Sequence, residues 1–157
     1  PKRDWSSDVC SSDLMASMIF KSWKQVLAQG HITLFASDLE EYPDGGQMRD
    51  FIYVKDACEV MWKILNSKKS HGIVNLGTGK ARTWNDLAHA VFKALGKQSD
   101  IKYVSMPDSL KGQYQYYTQA VMSKLQASSS AHTFLEMEDS IADYVGQHLQ
   151  NSTTRYY

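Results

Sequence analysis

Residues 72–96 read GIVNLGTGKARTWNDLAHAVFKALG, and this stretch decides the fold that the sequence predicts. The apolar run at 73–76 is short, begins with two β-branched residues and is typical of a buried strand. Thr83 and Asp86 have the spacing of a helix cap, and Gly96 marks a helix end. Between these positions the apolar residues recur at helical spacing, at Trp84, Leu87, Ala88, Val91, Phe92 and Leu95. The stretch therefore predicts a strand, a glycine turn and an amphipathic helix in succession.

Similar patterns lie on both sides of this unit. Strands are predicted at residues 32–35, 51–54 and 101–104. Helices are predicted at residues 15–29, from Asp56 to Leu65 and at residues 136–149. Asp56 and Glu59 have the spacing of a capping box, which places the start of the second of these helices. The alternation of strands and helices predicts an α/β fold with parallel strand pairing.

The composition excludes several classes of partner. The chain has 157 residues with 17 basic and 17 acidic side chains, so no basic field is available for nucleic acid or an anionic membrane. No apolar run approaches the ~18 residues of a membrane span, and the histidines lack the spacing of a metal site. Cys10 and Cys58 do not suggest a disulfide framework, so we expect a reducing, cytoplasmic compartment and a buried, inert Cys58 thiol.

Two segments could carry ligand chemistry, and each has a plain structural alternative. Arg49 precedes the predicted strand at 51–54, where a guanidinium can bind phosphate or carboxylate through two hydrogen bonds. An ion pair with Asp50 or Asp56 is equally compatible with the spacing. Residues 110–118, LKGQYQYYT, place three tyrosines and a lysine in one loop. Their rings could stack on a nucleobase or cover the edge of the core, and the sequence leaves both open.

Two further motifs favour a structural role. Residues 76–80, LGTGK, lie between a predicted strand and a helix, where anions often bind. The motif lacks the third glycine of a dinucleotide fingerprint and the ending of a phosphate loop, so a tight turn is the favoured interpretation. The acidic residues of 38–44 lack the spacing of a calcium loop, which favours a solvated loop.

The first residues do not read as folded protein. Residues 4–14, DWSSDVCSSDL, show neither helical nor strand periodicity and lack the apolar run of a signal peptide. Their letters resemble the translation of a sequencing-adapter oligonucleotide. We therefore expect a non-native tail at residues 1–14, the functional portion at residues 15–149 and a frayed tail at residues 150–157.

Four segments together resemble a known family. They are MASMIFKSWKQV at 15–26, DGGQMRDFIYVKDACEVMWKIL at 44–65, the stretch 72–96, and IKYVSMPDSLKGQYQYYTQAVMSKL at 101–125. They resemble the C-terminal half of the extended short-chain dehydrogenase/reductases that act on nucleotide sugars. The resemblance implies an α/β chain that is the substrate-binding part of a Rossmann-type protein, with the dinucleotide-binding half missing. Two segments, LKGQYQ at 110–115 and MAS at 15–17, resemble more specifically the branch of this family that epimerises an ADP-heptose at C6.

The resemblance implies an isomerase that oxidises and reduces C6 through a transient ketone, in the synthesis of the heptose precursor of the lipopolysaccharide core. NADP would be bound by the missing half, since this sequence has no Gly-x-x-Gly-x-x-Gly and no Tyr followed four residues later by Lys. We therefore expect the chain alone to be inactive, with no catalytic, cofactor-binding or metal-binding residue. The parent is expected to be a cytoplasmic homo-oligomer with an ADP-sugar substrate. The alternatives are another nucleotide-sugar epimerase or dehydratase, or a non-catalytic nucleotide-sugar binding module.

The resemblance also implies which residues bind the substrate. Arg49 would hold the diphosphate or the nearby sugar, and Tyr114 would contact the substrate from its loop. Residues 35–38 would line the nucleotide-sugar pocket, and Lys21 occupies a position where some members carry a substrate-binding histidine. The implied set is Lys21, Phe35, Ala36, Ser37, Asp38, Arg49 and Tyr114.

Overall fold

The computed structural model describes residues 17–67 and 72–151. The helices are α1 (Met18–Gln29), α2 (Val54–Asn66), α3 (Trp84–Ala94), α4 (Ser123–Gln126) and α5 (Met137–Asp143), which continues as a π-helical segment over Tyr144–Gln150. The strands are β1 (Ile32–Phe35), β2 (Met48–Asp50), β3 (Ala81–Thr83) and β4 (Ile101–Val104). No helix within these two ranges is long and apolar enough to cross a membrane.

The strands form two small sheets. β1 pairs with β4 in parallel, with Ile32 opposite Ile101 along the register. β2 pairs with β3 in antiparallel orientation, and Arg49 lies opposite Arg82. The predicted α/β architecture is confirmed, whereas the prediction of parallel pairing holds for the first sheet only.

The core is built around α3, which packs against α1 and α5. The buried apolar cluster is Val26, Ile32, Leu34, Leu87, Ala88, Ala90, Val91, Phe92, Met137, Ile141 and Val145. α3 starts with the predicted capping box, in which the Thr83 side chain accepts from the Asp86 N–H and the Asp86 carboxylate accepts from the Thr83 N–H. Because both the cap and the apolar spacing are local in sequence, this helix could be predicted without knowledge of its partners.

Helix α1 also agrees with its prediction in the described residues. Ser17 caps its start by accepting a hydrogen bond from the Phe20 N–H at 3.3 Å. Gly30 ends it with a φ of 79°, a left-handed conformation that glycine adopts without steric cost. The predicted start at residues 15–16 lies outside the described residues.

The predicted strand at 51–54 and the predicted cap at Asp56 are both wrong. β2 ends at Asp50, and α2 begins at Val54 after an extended Tyr53. The strand lies earlier because its position is set by its neighbours rather than by β propensity. On the edge away from β3, the Met48 N–H donates to the Tyr116 carbonyl at 2.7 Å and the Met48 carbonyl accepts from the Thr118 N–H at 3.2 Å.

The predicted buried strand at 73–76 is also absent from the described structure, where these residues are irregular. Ile73 is 91% exposed. On α2 the predicted inner face is only partly covered, since Val60 is buried but Leu65 is 76% exposed. Cys58, expected to be buried, is an exposed free thiol on the same helix. Apolar residues in a short run or on a helix face are buried only where another element packs on them.

The predicted tails lie largely outside the described residues. Residues 1–16 and 152–157 are not described, so the adapter interpretation and the boundary at residue 14 stay predictions. Gln150 is the last residue of the π-helical segment.

Asp50, at the end of β2, joins this strand to two loops. Its carboxylate accepts from the N–H groups of Thr78 at 2.8 Å, Gly79 at 2.9 Å and Ala120 at 3.0 Å, and from the Thr78 hydroxyl. A Cβ on Gly77 would lie 2.6 Å from the Asp50 Oδ2 atom, and Gly79 has a φ of 76°. The glycine turn is thus present as predicted, and the anion that it binds is a carboxylate of the same chain.

The same contacts set the protonation of Asp50. Burial alone would raise its pKa, but the bonds from the Thr78 hydroxyl and from the N–H groups of Ala120, Thr78 and Gly79 outweigh burial and hold the pKa below 3.8. Because the pKa of Asp50 is lower in the native protein than in the unfolded chain, the unfolded chain binds the proton at a higher pH. The stabilisation is therefore complete above the unfolded pKa of about 3.8 and is lost as the pH falls through the native pKa.

We expect Asp50→Asn to lower the free energy of unfolding at pH 7 by about 1–3 kcal/mol, because an amide nitrogen would face backbone donors. The substitution should also flatten the loss of stability below pH 3.8. Urea denaturation of the full chain, followed by circular dichroism at pH 7 and pH 3, measures both effects. Asp100→Asn, at an exposed aspartate, is the matched control. Equal stability of the two variants at pH 7 would contradict the anchoring role of Asp50.

Candidate functional site

The carboxyl end of β1, strand β2 and the loop at 114–118 lie side by side. The Tyr116 carbonyl and the Thr118 N–H bond to Met48, so the loop runs along the free edge of β2. The Ala36 N–H donates to the Val104 carbonyl at 2.8 Å, just beyond the paired ends of the parallel strands β1 and β4. The carboxyl ends of parallel strands are where α/β proteins place their ligand sites. The structure therefore brings most of the predicted site residues to one edge.

Arg49 projects from β2 against the ring of Tyr114. Its guanidinium carbon lies 5.2 Å from the ring centroid, and its Nη1 donates to the Met48 carbonyl at 2.8 Å. The alternative of an ion pair with Asp50 or Asp56 is not observed, because the first carboxylate binds the glycine turn and the second binds His132. Within residues 17–67 and 72–151, Arg49 has no carboxylate partner.

Arg82 lies opposite Arg49 in the sheet and has a different environment. Its guanidinium pairs with the carboxylates of Glu138 and Asp86. The bond that Arg82 donates to Glu138 raises the pKa of Arg82, and the same bond holds the pKa of Glu138 below its ordinary value. Of the two opposed guanidinium groups, only that of Arg49 is available to an external anion.

Tyr114 belongs to a row of aromatic side chains. Its ring meets that of Tyr116 edge to face at 5.5 Å, and the Tyr116 ring lies 5.1 Å from that of Tyr42. On the other side, the Tyr114 hydroxyl accepts from the Trp84 indole N–H at 2.9 Å. Such contacts order the loop and leave part of each half-buried ring on the surface. The ring contacts thus agree with the alternative in which the tyrosines cover the edge of the core, and stacking on a nucleobase stays a prediction.

Phe35 is the last residue of β1, and residues 36–38 begin the loop that follows it. The Ser37 N–H donates to the Asp44 carboxylate at 2.8 Å, and the Asp38 N–H donates to the Tyr116 hydroxyl at 3.3 Å. The Phe35 carbonyl accepts from the Gly45 N–H at 3.3 Å. These bonds attach the predicted pocket lining, including Ala36, to the same aromatic row as Tyr114. No group of three potential metal ligands gathers within the described part of the chain.

Lys21 occupies a different element from the rest of the predicted set. It is half-buried in the first turn of α1, where its N–H donates to the Ser17 carbonyl at 3.0 Å. The bonds and ring contacts that join residues 35–38, Arg49 and Tyr114 are made without it.

A buried polar cluster around His132 was missed by the sequence analysis. His132 and Asp56 have side chains that are each 7% exposed, and Nε2 of the histidine lies 2.8 Å from the carboxylate. The Lys63 amino group lies 3.0 Å from Nδ1. Because an ammonium group only donates, Nδ1 accepts and the Nε2–H donates to Asp56. His132 and Asp56 are 76 positions apart in sequence, so no local signal indicates this pairing.

This cluster borders a cleft of ≈ 280 Å³ between the segment at 132–137 and β3. Thr78, Lys80 and Arg82 line the cleft, whereas Arg49, Tyr114 and residues 35–38 do not. The Lys80–Glu136 ion pair lies on its lining. The cleft is therefore separate from the site at the carboxyl end of β1, and its charged groups are paired within the chain.

We expect His132→Ala to lower the free energy of unfolding by about 1–3 kcal/mol, because the Asp56 carboxylate would remain buried without its imidazole partner. Adding Asp56→Asn to this variant should lower the free energy of unfolding little further, since a neutral amide then replaces the buried carboxylate. Urea denaturation of the full chain measures both, and His89→Ala, at an exposed histidine, is the control. A His132→Ala variant as stable as the control would show that the cluster does not stabilise the fold.

Comparisons with known proteins bear on the family and the fold of the chain. The family model described as GDP-mannose 4,6 dehydratase matches residues 21–136. An ADP-L-glycero-D-manno-heptose-6-epimerase of Nitratidesulfovibrio vulgaris is 49% identical over 135 residues, which are 86% of this chain and 42% of that protein. The chain thus spans about two fifths of the length of the curated relatives that it matches.

Solved structures show the same likeness. The Helicobacter pylori ADP-L-glycero-D-manno-heptose-6-epimerase superposes with a TM-score of 0.65 at 25% identity, over 85% of this chain and 38% of that one. The Bacillus cereus UDP-glucuronic acid 4-epimerase, solved with UDP-glucuronic acid and NAD, gives a TM-score of 0.64 at 23% identity, over 83% of this chain and 40% of that one. Because the family model covers more than half of the 157 residues, this chain belongs to the GDP-mannose 4,6-dehydratase family, with the fold of the extended short-chain dehydrogenase/reductases.

Proposed function

We propose that residues 15–149 are the substrate-binding portion of an ADP-L-glycero-D-manno-heptose 6-epimerase that supplies heptose precursors for the lipopolysaccharide core. The observation that carries the proposal is the half-buried Arg49 guanidinium, which lies over the Tyr114 ring without a carboxylate partner in the described residues. A guanidinium in this setting is suited to bind a diphosphate through two hydrogen bonds. The names of the curated relatives support the ADP-heptose over other nucleotide sugars.

In this proposal each part of the site has its own task. Arg49 binds the diphosphate, and the Tyr114 ring keeps the guanidinium in place through the cation–π contact. Residues 35–38 line the nucleotide-sugar pocket with a loop that Asp44 and Tyr116 hold by hydrogen bonds. Lys21 approaches the substrate from α1 with a positive charge.

The reaction itself requires a cofactor and an acid–base pair, and this sequence lacks the motifs that supply them. The oxidation and reduction at C6, through a transient ketone, needs a nicotinamide cofactor, which we propose to be NADP bound by the other half of the parent enzyme. The sequence has neither a dinucleotide fingerprint nor a Tyr-x-x-x-Lys pair. The N–H groups of Thr78 and Gly79 in its glycine turn already donate to the Asp50 carboxylate. The contribution of this chain is therefore to bind and orient the substrate.

We place the parent enzyme in the cytoplasm as a homo-oligomer. Its substrate, an activated sugar, is a small charged molecule that requires neither nucleic acid nor membrane. Another nucleotide-sugar epimerase or dehydratase is the second candidate, favoured by the likeness to a UDP-glucuronic acid 4-epimerase.

We expect the full chain to bind ADP and Arg49→Ala to weaken this binding by at least about tenfold, because a hydrogen bond to a charged group contributes roughly 1.5–3 kcal/mol. Arg49→Lys should bind with intermediate affinity, since it keeps the charge but loses the planar pair of donors. Isothermal titration calorimetry gives the dissociation constants.

Arg82→Gln is the matched control, because Arg82 is already paired with Glu138 and Asp86. Its affinity for ADP should equal that of the unsubstituted chain once thermal melts show that it is folded. Equal losses in the Arg49 and Arg82 variants, or no ADP binding by the unsubstituted chain, would contradict the proposed site.

We also expect the pure chain to leave the ADP-heptose unchanged when NADP is supplied, because the sequence has neither a dinucleotide fingerprint nor a Tyr-x-x-x-Lys pair for the redox step. Nuclear magnetic resonance of the C6 proton follows the reaction. A full-length relative, such as the Nitratidesulfovibrio vulgaris protein, is the positive control. Formation of the C6 epimer by the chain alone would show that catalytic groups are present here.

A further inference from the structure

Trp84 is held in a fixed position at the junction of β3 and α3. It is the first residue of α3 and follows the Thr83 cap directly. Its backbone N–H donates to the Gln47 carbonyl at 3.2 Å, which joins it to the segment that leads into β2. The indole ring meets the Phe51 ring edge to face at 5.0 Å. An aromatic side chain fixed at both the backbone and the ring is suited to orient a neighbour.

The neighbour that Trp84 orients is Tyr114. The indole Nε1–H donates to the Tyr114 hydroxyl oxygen at 2.9 Å. Indole nitrogen can only donate, so the phenol acts as the acceptor in this bond and keeps its own proton for another partner. In the ranges 17–67 and 72–151, the bond from Trp84 is the only hydrogen bond that the Tyr114 hydroxyl makes.

The geometry assigns the missing acceptor to a ligand. We propose that Trp84 is a positioning residue, whose indole N–H orients the Tyr114 hydroxyl so that its proton is donated to a diphosphate oxygen bound by Arg49. The inference rests on the proposed function and extends it to a residue that does not itself touch the substrate. A diphosphate is the matching chemistry, because the cationic guanidinium lies 5.2 Å from the Tyr114 ring and anionic oxygens are strong acceptors.

A double-mutant cycle on the full chain tests the coupling. Trp84→Phe keeps an aromatic ring against Phe51 but removes the indole donor, and Tyr114→Phe keeps the ring under Arg49 but removes the hydroxyl. Each should weaken ADP binding by about three- to tenfold, as expected for one hydrogen bond. The double variant should bind no more weakly than Tyr114→Phe alone, since Trp84 acts only through that hydroxyl. Trp62→Phe, at a tryptophan that is 65% exposed, should leave the affinity unchanged.

A spectroscopic measurement separates positioning from a general effect on folding. In ¹⁵N–¹H spectra the Trp84 indole resonance, identified by its loss in Trp84→Phe or from the backbone assignment, should shift when ADP is added. In Tyr114→Phe the same resonance should no longer respond to ADP. This measurement stands even where Trp84→Phe does not fold.

The outcomes separate this inference from the function on which it rests. Additive losses in the cycle, or an indole resonance that ignores ADP while the chain binds it, overturn the role of Trp84 and leave the site in place. Failure of the unsubstituted chain to bind ADP overturns both.

Discussion

The arrangement of the site depends on the binding of the Asp50 carboxylate by the backbone of two loops. Because side chains alternate along a strand, Arg49 and Asp50 project from opposite faces of β2. The aspartate accepts from Thr78, Gly79 and Ala120, which lie 28 to 70 residues away in sequence. This fixes a strand of only three residues at its carboxyl end, next to the arginine. Because these N–H groups bind the Asp50 carboxylate, this nearest carboxylate in the sequence does not neutralise the Arg49 guanidinium.

A second connection runs through aromatic side chains rather than charges. Trp84, Tyr114, Tyr116 and Tyr42 form a continuous row of hydrogen bonds and ring contacts. The row begins at the N-terminus of α3, which belongs to the core, and ends in the loop after β1. Rigid rings with few rotatable bonds lose little entropy when they are ordered, so they can hold loops that have little regular structure. The loops of the site are thereby positioned by α3, which has more buried residues than any other helix in residues 17–67 and 72–151.

The elements that the sequence predicted correctly are those specified locally. α3 has its capping box and its apolar stripe within 14 residues, and α1 has a glycine stop. The errors lie where distant residues decide. β2 is placed by its bonds to β3 and to Tyr116 rather than by the β-branched run that follows it. Asp56 has the sequence of a helix cap, but its carboxylate binds His132 from a loop 76 residues away.

The site itself was predicted only in part, for the same reason. The resemblance indicated Arg49 and Tyr114, and neither periodicity nor spacing could show that they touch. Their contact depends on the loop at 114–118 pairing along β2, and on Trp84 reaching the phenol from another element. Residues whose role is to orient others, such as Trp84, carry no motif of their own.

The register of the second sheet adds an electrostatic constraint. Arg49 and Arg82 are directly opposed, and like charges in that position destabilise a strand pair. The chain relieves this on one side only, through Glu138 from α5 and Asp86 from α3. The remaining positive charge lies over the Tyr114 ring, where an anionic ligand would complete the neutralisation. Glu138 and Asp86 thus neutralise Arg82 only, and the positive charge of Arg49 stays available at the candidate site.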